Sequence, residues 1–467
     1  MGEQGGTEKR TQRLRDPVHG LIVFDKDKKI DQLAWKLLDT PEFQRLRRIK
    51  QLGVSEYVFP GASHTRFAHC VGVFHTARQL DKVVFREIGE KNYNVPRAEV
   101  AIIAALLHDL GHGPFSHTFE GVQKSRGVKK RHEEWTAEII LNPHGQIKPL
   151  LDKHRPGGGF CEEVAEMLLS EDPKDIYHSI VSSSFDADRL DYLRRDRLMT
   201  GTGAGAIDFD WLIEHVRVCD VRLDPAEEEE DGEQTIPTFC IHLKALPAAE
   251  QFLLARYTLH EQVYFHKTTR CTEAMIAKLL RLVAAHAERD ATSGKAVGLE
   301  NNHPLFLFFA DDGATVQNYL ALDDGVVTAA LERMKGATDK DVAELANRIR
   351  TRDLYKTLDV CAFGSDEGRQ RHKARQIDRR FKDEIEAEAA LKDESATLSI
   401  YTQIGGDDEK AHKKMRILDG DGVPIEITAL SKILGPLGAN GLKRTFTRYY
   451  FASDSDRDAA RGAGAKK

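Results

Sequence analysis

The chain of 467 residues lacks the marks of several protein classes. Its longest purely apolar stretch, Val100–Leu107, is far short of the roughly 20 residues a helix needs to cross a bilayer. Met1–Asp16 is polar and charged, with no apolar segment, so no secretory signal is expected. Basic residues are not in excess: 68 Lys and Arg stand against 74 Asp and Glu, a net charge of -6. That balance leaves no footprint of sequence-independent nucleic-acid binding, so nucleic acid is not expected as the main partner. The six cysteines (Cys70, Cys161, Cys219, Cys240, Cys271, Cys361) include no CxxC pair. This spacing argues against a thiolate zinc site or a dithiol redox motif; reduced thiols in a cytoplasmic protein are expected. No repeat recurs at the roughly 20–50 residue periods of solenoids.

What is present suffices for a sizeable core, because 41% of the residues are hydrophobic. Wholesale disorder is thereby excluded. The length suggests about three domains, or one large domain with a satellite. One residue type stands out: there are 19 His, several of them crowded between His64 and His132. Histidine is the commonest metal ligand and titrates near neutrality.

Helical periodicity dominates from Gln12 to Ala287. Pro96 opens a segment in which Val100, Ile103, Ala104 and Leu107 recur at helical spacing, with Gly111 placed as a C-cap. A second helical segment runs from Phe252 to Leu280. The acidic run Glu227–Glu233 precedes the strand-like Thr235–Leu243 and reads as an exposed hairpin or loop insertion. Short helices are expected at Asp323–Met334 and Asp339–Ile349, and strands at Ala396–Ile404, Met415–Leu418, Pro424–Thr428 and Arg444–Phe451. The expected fold is mainly α: a helical core over 13–300 and a smaller α+β C-terminal lobe over 301–452. Disordered tails are expected at 1–12 and 453–467.

The sharpest local signal is Leu107-His108-Asp109-Leu110-Gly111-His112-Gly113-Pro114-Phe115-Ser116-His117. An adjacent His-Asp pair at a helix end offers one imidazole nitrogen and one carboxylate oxygen to a single cation. Further ligands must come from elsewhere. His69 is one candidate, and a carboxylate within Phe185-Asp186-Ala187-Asp188-Arg189-Leu190-Asp191-Tyr192 is the other. Mixed imidazole and carboxylate ligands suit Mn, Fe, Zn or Mg better than a soft metal.

In this combination the sequence resembles the HD-domain phosphohydrolases, and within them the dNTP triphosphohydrolases related to the human SAM- and HD-domain enzyme. The likeness begins at Asp16-Pro17-Val18-His19-Gly20 and continues through Asp39–Arg47, Ile49–Gly53 and Val58–His69. The His108 and Asp186 segments follow, then Leu259-His260 with Tyr264, His266 and Lys267, and finally Arg352–Lys356. No SAM domain is expected ahead of these blocks.

The resemblance implies that His69, His108, Asp109 and Asp188 bind the divalent metal, with Asp186 and Asp191 as orienting carboxylates. It implies hydrolysis of a dNTP at its α-phosphorus, releasing deoxynucleoside and triphosphate. His112, His117 and His132 would serve as proton donor and phosphate contacts, with Glu120 standing where relatives carry Asp. Arg66 and Arg189 would hold phosphate oxygens, Arg189 replacing the family's usual Lys. Lys267 would add positive charge to the pocket. Gln51, Leu52, Tyr192, Asp196 and Tyr264 would read the sugar. Asp39, Gln44, Arg47, Arg352 and Lys356 match regulatory positions that take a GTP or dGTP activator, whereas Gln12-Arg13 does not reproduce the expected phosphate-binding Lys. A homo-oligomer, dimer or tetramer, is implied. Two other readings stay open: an HD phosphohydrolase acting on another nucleotide phosphoester, and a catalytically silent nucleotide sensor.

Overall fold

The structure, a computed structural model, describes residues 11–204, 207–222, 235–398, 413–435 and 444–463. An antiparallel hairpin, β1 (Gln12–Asp16) with β2 (Gly20–Phe24), opens the described chain. Seven principal helices follow: α1 (Lys29–Leu38), α2 (Arg66–Ile88), α3 (Val95–Leu107), α4 (His117–Ser125), α5 (His132–Leu141), α6 (Phe160–Leu169) and α7 (Ala187–Thr200). A second hairpin, β3 (Val216–Arg222) and β4 (Thr235–His242), precedes α8 (Leu246–Leu259) and α9 (Lys267–Arg289). Next come α10 (Pro304–Phe309), α11 (Asp324–Met334), α12 (Lys340–Thr351), β5 (Lys356–Asp359), α13 (Glu367–Arg380) and β6 (Ala390–Leu398). The described chain closes with β7 (Arg416–Leu418), β8 (Pro424–Glu426), β9 (Arg444–Phe451) and α14 (Asp454–Arg461). The fold is mainly helical with small sheets, as expected.

Helix α3 is the centre of the bundle. The Asn94 side chain accepts from the Arg97 amide, and Pro96 sits in the first turn where it costs no hydrogen bond. Every residue from Val100 to Leu107 is buried, so the helix is apolar all round rather than amphipathic. It delivers His108 and Asp109 at its C-terminal end. Helix α2 packs beside it, and α7 packs against α2. Gly72 on α2 is required there, because a Cβ would lie 1.9 Å from Asp191 Oδ1 and 2.4 Å from an Arg195 nitrogen on α7.

Several expectations are corrected. Residues 453–467 were expected to be disordered, yet Asp454–Arg461 is helical. Ser453 caps it by accepting from the Asp456 amide, and Ala460 is buried against Leu358, Tyr449 and Phe451. The expected boundary near Asn301 is not a packing boundary, since Leu305, Phe306, Tyr319, Leu345 and Ile349 belong to the main core. The separate small core starts at Leu358 and includes Ile377 and Phe451. Its sheet has the order β5-β9-β6, whereas β7 and β8 leave that lobe to extend the hairpin as β3-β4-β7-β8. Strand β7 pairs parallel to β4 through Ile241–Ile417 and His242–Leu418. The structure also joins Cys219 to Cys240 across β3 and β4, so those two are not the reduced thiols expected; among the described residues Cys70, Cys161, Cys271 and Cys361 form no disulfide. Strand β1 starts at Gln12, inside the expected tail. The acidic run Glu227–Glu233 and the rest of that tail, residues 1–10, lie outside the described residues. Among the described residues no helix is long and apolar enough to cross a membrane.

Candidate active site

The end of α3, the first turn of α2 and the start of α7 meet at one point. His69, His108 and Asp109 each offer a ligand atom, all within 4.8 Å of one another. Asp188 joins them: its Oδ1 lies 2.9 Å from His69 Nε2 and 3.8 Å from His108 Nε2. Both His69 Nε2 and His108 Nε2 are buried, and among the described residues neither has a partner in hydrogen-bond geometry, although Asp188 Oδ1 and Asp109 Oδ1 lie 2.9 and 3.3 Å away. Buried polar atoms are rarely left so. Their opposite ring nitrogens are both engaged, His69 Nδ1 with Asp191 Oδ2 at 2.8 Å and His108 Nδ1 with the Ala105 carbonyl at 2.9 Å. Fixing one nitrogen of each ring and aiming the other inward is how proteins orient metal-binding imidazoles. The donor set therefore fits a divalent cation.

The charges agree. Burial disfavours protonation of His69, but Asp188 and Asp191 outweigh it and raise its pKa to about 10. Burial likewise opposes ionisation of Asp109, yet Arg66, His108 and His112 hold its carboxyl well below the usual range. The structure also separates the three candidate carboxylates. Asp186 caps α7, accepting from the Arg189 and Ser183 amides, and pairs with the Arg189 guanidinium. Asp191 is wholly buried and bound to His19, His69 and Arg195. Asp188 alone of the three faces the two histidines.

A cavity of about 370 Å³ opens beside this cluster. His112, His117 and His132 line it, the rings of His112 and His132 stacked with centroids 4.0 Å apart. His112 Nε2 is 3.2 Å from Asp109 Oδ1. Glu120 stands behind them, its Oε2 3.0 Å from His132 Nδ1 and 3.8 Å from His117 Nδ1; the longer side chain does reach His132. Burial disfavours the His132 cation, but Glu120 and Glu133 raise its pKa. Burial also depresses His117 and His112, the latter well below its usual value, with Arg66 and His132 adding to the effect on His112. Arg66 pairs with Asp109, and its Nε donates to Ser116 Oγ at 2.9 Å. Both Phe115 and Ser116 adopt φ of 54°, strained for residues with a Cβ and tolerated only where the surroundings enforce it.

Gln51, Leu52, Arg66, Arg189, Tyr192, Asp196 and Tyr264 all line the same cavity. Asp196 Oδ2 accepts from the Tyr264 hydroxyl at 2.7 Å, and its Oδ1 is 2.8 Å from His64 Nε2. A π-helical turn over His260–Tyr264 follows α8 and brings His260 and Tyr264 to the wall. Arg256, His260 and Lys413 also line it, and sequence reasoning gave them no role. Arg256 in the last turn of α8 and His260 in the π-helical turn stand at i, i+4 spacing, a signal present in the sequence. Lys267 does not line the cavity but opens α9, so the cation expected there is Arg256 instead.

The five regulatory positions lie outside the cavity lining. Asp39 ends α1; Gln44 Nε2 donates to the Leu38 carbonyl at 2.7 Å, and Arg47 Nε donates to Gln44 Oε1 at 2.8 Å while its guanidinium covers the Phe67 ring. Arg352 donates to the Tyr57 carbonyl at 3.0 Å, and Lys356 lies 3.6 Å from Asp353. Among the described residues no hydrogen bond or ion pair joins the two groups.

Residues 66–193 match the HD domain, and residues 233–297 match the HD-associated region. An uncharacterised protein of Bacillus subtilis, YwfO, is 34% identical over 74% of this chain and 71% of its own length. The chain belongs to the HD-domain phosphohydrolase family. The HD match begins at the first residue of α2 and contains His69, His108, Asp109 and Asp188. The HD-associated match contains Arg256, His260 and Tyr264. The human deoxynucleoside triphosphate triphosphohydrolase SAMHD1 is 32% identical over 73% of this HD-domain chain, a match spanning 54% of the human protein. A phosphohydrolase structure from Bacteroides thetaiotaomicron superposes with a TM-score of 0.69 at 25% identity, covering 95% of this chain and all of that one.

Proposed function

We propose that this HD-domain protein is a metal-dependent dNTP triphosphohydrolase, releasing deoxynucleoside and triphosphate. The observation that carries this reading is that the His69, His108, Asp109 and Asp188 cluster opens into the same cavity as Tyr192, Tyr264 and Asp196. A divalent cation held by those four residues (Mn, Fe, Zn or Mg) would supply Lewis acidity at the α-phosphate and charge neutralisation. Around it, Arg66 and Arg189 hold phosphate oxygens; the Arg189 Nε is buried with no hydrogen-bond partner among the described residues. Water attacks the α-phosphorus, and the bond to the 5′-oxygen breaks. His132, kept protonated by Glu120, gives its Nε2 proton toward the leaving oxygen. Tyr192 packs against the sugar, and the Asp196–Tyr264 pair reads its hydroxyl. Activation by GTP or dGTP, through Asp39, Gln44, Arg47, Arg352 and Lys356, and assembly into a dimer or tetramer belong to the same proposal.

The test is to incubate the purified protein with each dNTP and Mg or Mn, with and without GTP, and to resolve the products. Deoxynucleoside plus triphosphate is expected; pyrophosphate, or no turnover of any dNTP, overturns the reading. Faster turnover with GTP is the expected sign of activation.

The Glu120–His132 pair gives a further prediction. A histidine whose pKa is raised on folding contributes stability below its unfolded value and loses it as pH rises through the folded one. The Glu120→Gln variant removes the charge that sustains the His132 cation. The alkaline limb of its kcat profile is expected to move to lower pH, and a limb that stays in place would detach Glu120 from proton delivery.

A further inference from the structure

The two walls of the cavity are held in register from a distant part of the chain. One wall carries Gln51 and Leu52, which lie in a turn, and the other carries His117, which opens α4 directly after the Phe115–Ser116 turn. A single buried side chain from far along the chain reaches both. Asp324 Oδ2 accepts from the Lys50 amide at 2.9 Å, and Oδ1 accepts from the Phe115 amide at 2.7 Å. Each tethered amide lies one residue before a group of the site. Lys50 precedes Gln51, and Phe115 precedes Ser116, whose hydroxyl holds Arg66.

Helix capping does not account for this arrangement. Asp324 is the first residue of α11, but the cap is Asp323, whose Oδ1 accepts from the Val326 amide at 2.9 Å. Asp324 is therefore turned away from its own helix toward the loops, and is 4% exposed. Neighbours on the same segment make parallel ties. The Tyr319 hydroxyl donates to the Gly111 carbonyl at 2.6 Å, and Arg45 bridges the Leu322 and Leu110 carbonyls. The strained φ at Phe115 and Ser116 needs such over-determination to persist.

We propose that Asp324 is a positioning residue for hydrolysis, its two carboxylate oxygens holding the Gln51–Leu52 loop and the Phe115–Ser116 turn in the one register that lets them meet across the substrate. Burial pushes its carboxyl up to about 6 while the Lys50 and Phe115 amides, Lys50 and Arg66 hold it down. At pH 7.5 it is ionised and accepts both bonds. Displacement of either loop by about 1 Å is enough to cost on the order of 100-fold in rate.

The inference rests on the phosphohydrolase reading but not on the identity of the substrate. The assay therefore runs at pH 7.5 on dNTPs and, in parallel, on bis(p-nitrophenyl) phosphate. A wild type active only on the ester defeats the dNTP reading and leaves this test intact. In the Asp324→Asn variant one amide N–H meets a side-chain NH2 instead of an oxygen. We expect kcat to fall by about 10- to 100-fold, with metal content unchanged and cooperative unfolding above the assay temperature. The control is Asp339→Asn, which weakens the cap of α12 remote from the cavity, where Asp339 accepts from the Asp341 and Val342 amides. It should keep kcat within about twofold. Wild-type kcat in Asp324→Asn, or an equal loss in Asp339→Asn, overturns the proposal. Should Asp324→Asn not fold, Asp324→Glu, which keeps the charge but moves both oxygens by one methylene, is read in its place. The same loss is expected, and wild-type kcat overturns the proposal.

Discussion

Replacing His108 and Asp109 together by alanine is expected to strip the protein of divalent metal and to lower turnover by at least about 1,000-fold. Both side chains point into the cluster with His69 and Asp188; outside it, His108 bonds the Ala105 carbonyl and Asp109 pairs with Arg66. The α3 cap is at the other end, on Asn94, and the buried run Val100–Leu107 is untouched. The variant should therefore fold, and metal analysis beside a turnover assay separates lost chemistry from lost structure. Retained metal with retained turnover would mean that the reactive centre lies elsewhere.

The second large effect concerns Asp191, which touches no substrate in the proposal. Removing it as Asp191→Ala is expected to cost about 3–5 kcal/mol, because it leaves Arg195 buried without its principal partner. Arg195 donates to both Asp191 oxygens at 2.8 and 2.9 Å and is 1% exposed. The same change frees His69 Nδ1 and should weaken metal binding by about 10- to 100-fold. Burial opposes ionisation of Asp191, but Arg195, His19 and His69 outweigh it and hold its carboxyl well below the usual range. Stability from such a group is present above the unfolded value of roughly 3.9 and lost only as pH falls through the lower folded one. The cost of the substitution should thus be constant from pH 5 to about 6 in denaturant unfolding, and shrink above that as the His69 cation that Asp191 also sustains is lost. A loss under about 1 kcal/mol would show that the network does not hold α2 to α7.

The centre of the site was legible because its chemistry is local. His108 and Asp109 end a helix whose period is plain, and Gly111 follows where the chain must pass close to α5; a Cβ there would lie 2.0 Å from the His132 carbonyl oxygen. Spacing could not separate Asp186, Asp188 and Asp191, because one helix start presents all three. The structure separates them by occupation, two being committed to a cap and to Arg195. Asp324 and Lys413 were illegible for a different reason. Each reaches the site through pairing with residues far away in sequence, which no window of periodicity records. The helix Asp454–Arg461 was missed because charge and small residues read as a tail, whereas Ser453 caps it and Ala460 buries it.

The parallel pairing of β7 with β4 bears on how the molecule is made. Bundle helices α2 and α3 close by contacts near in sequence, the kind that form fastest, and α7 joins α2 from within the first 200 residues. Strand β4 ends at His242 and its partner begins at Arg416, so that sheet waits on one of the longest loop closures in the chain. Lys413 stands beside this late strand and Asp324 on a helix made after the bundle, yet both reach the cavity or its walls. During synthesis the histidines and carboxylates are therefore gathered early, while the pocket around them is finished only when nearly the whole chain has left the ribosome.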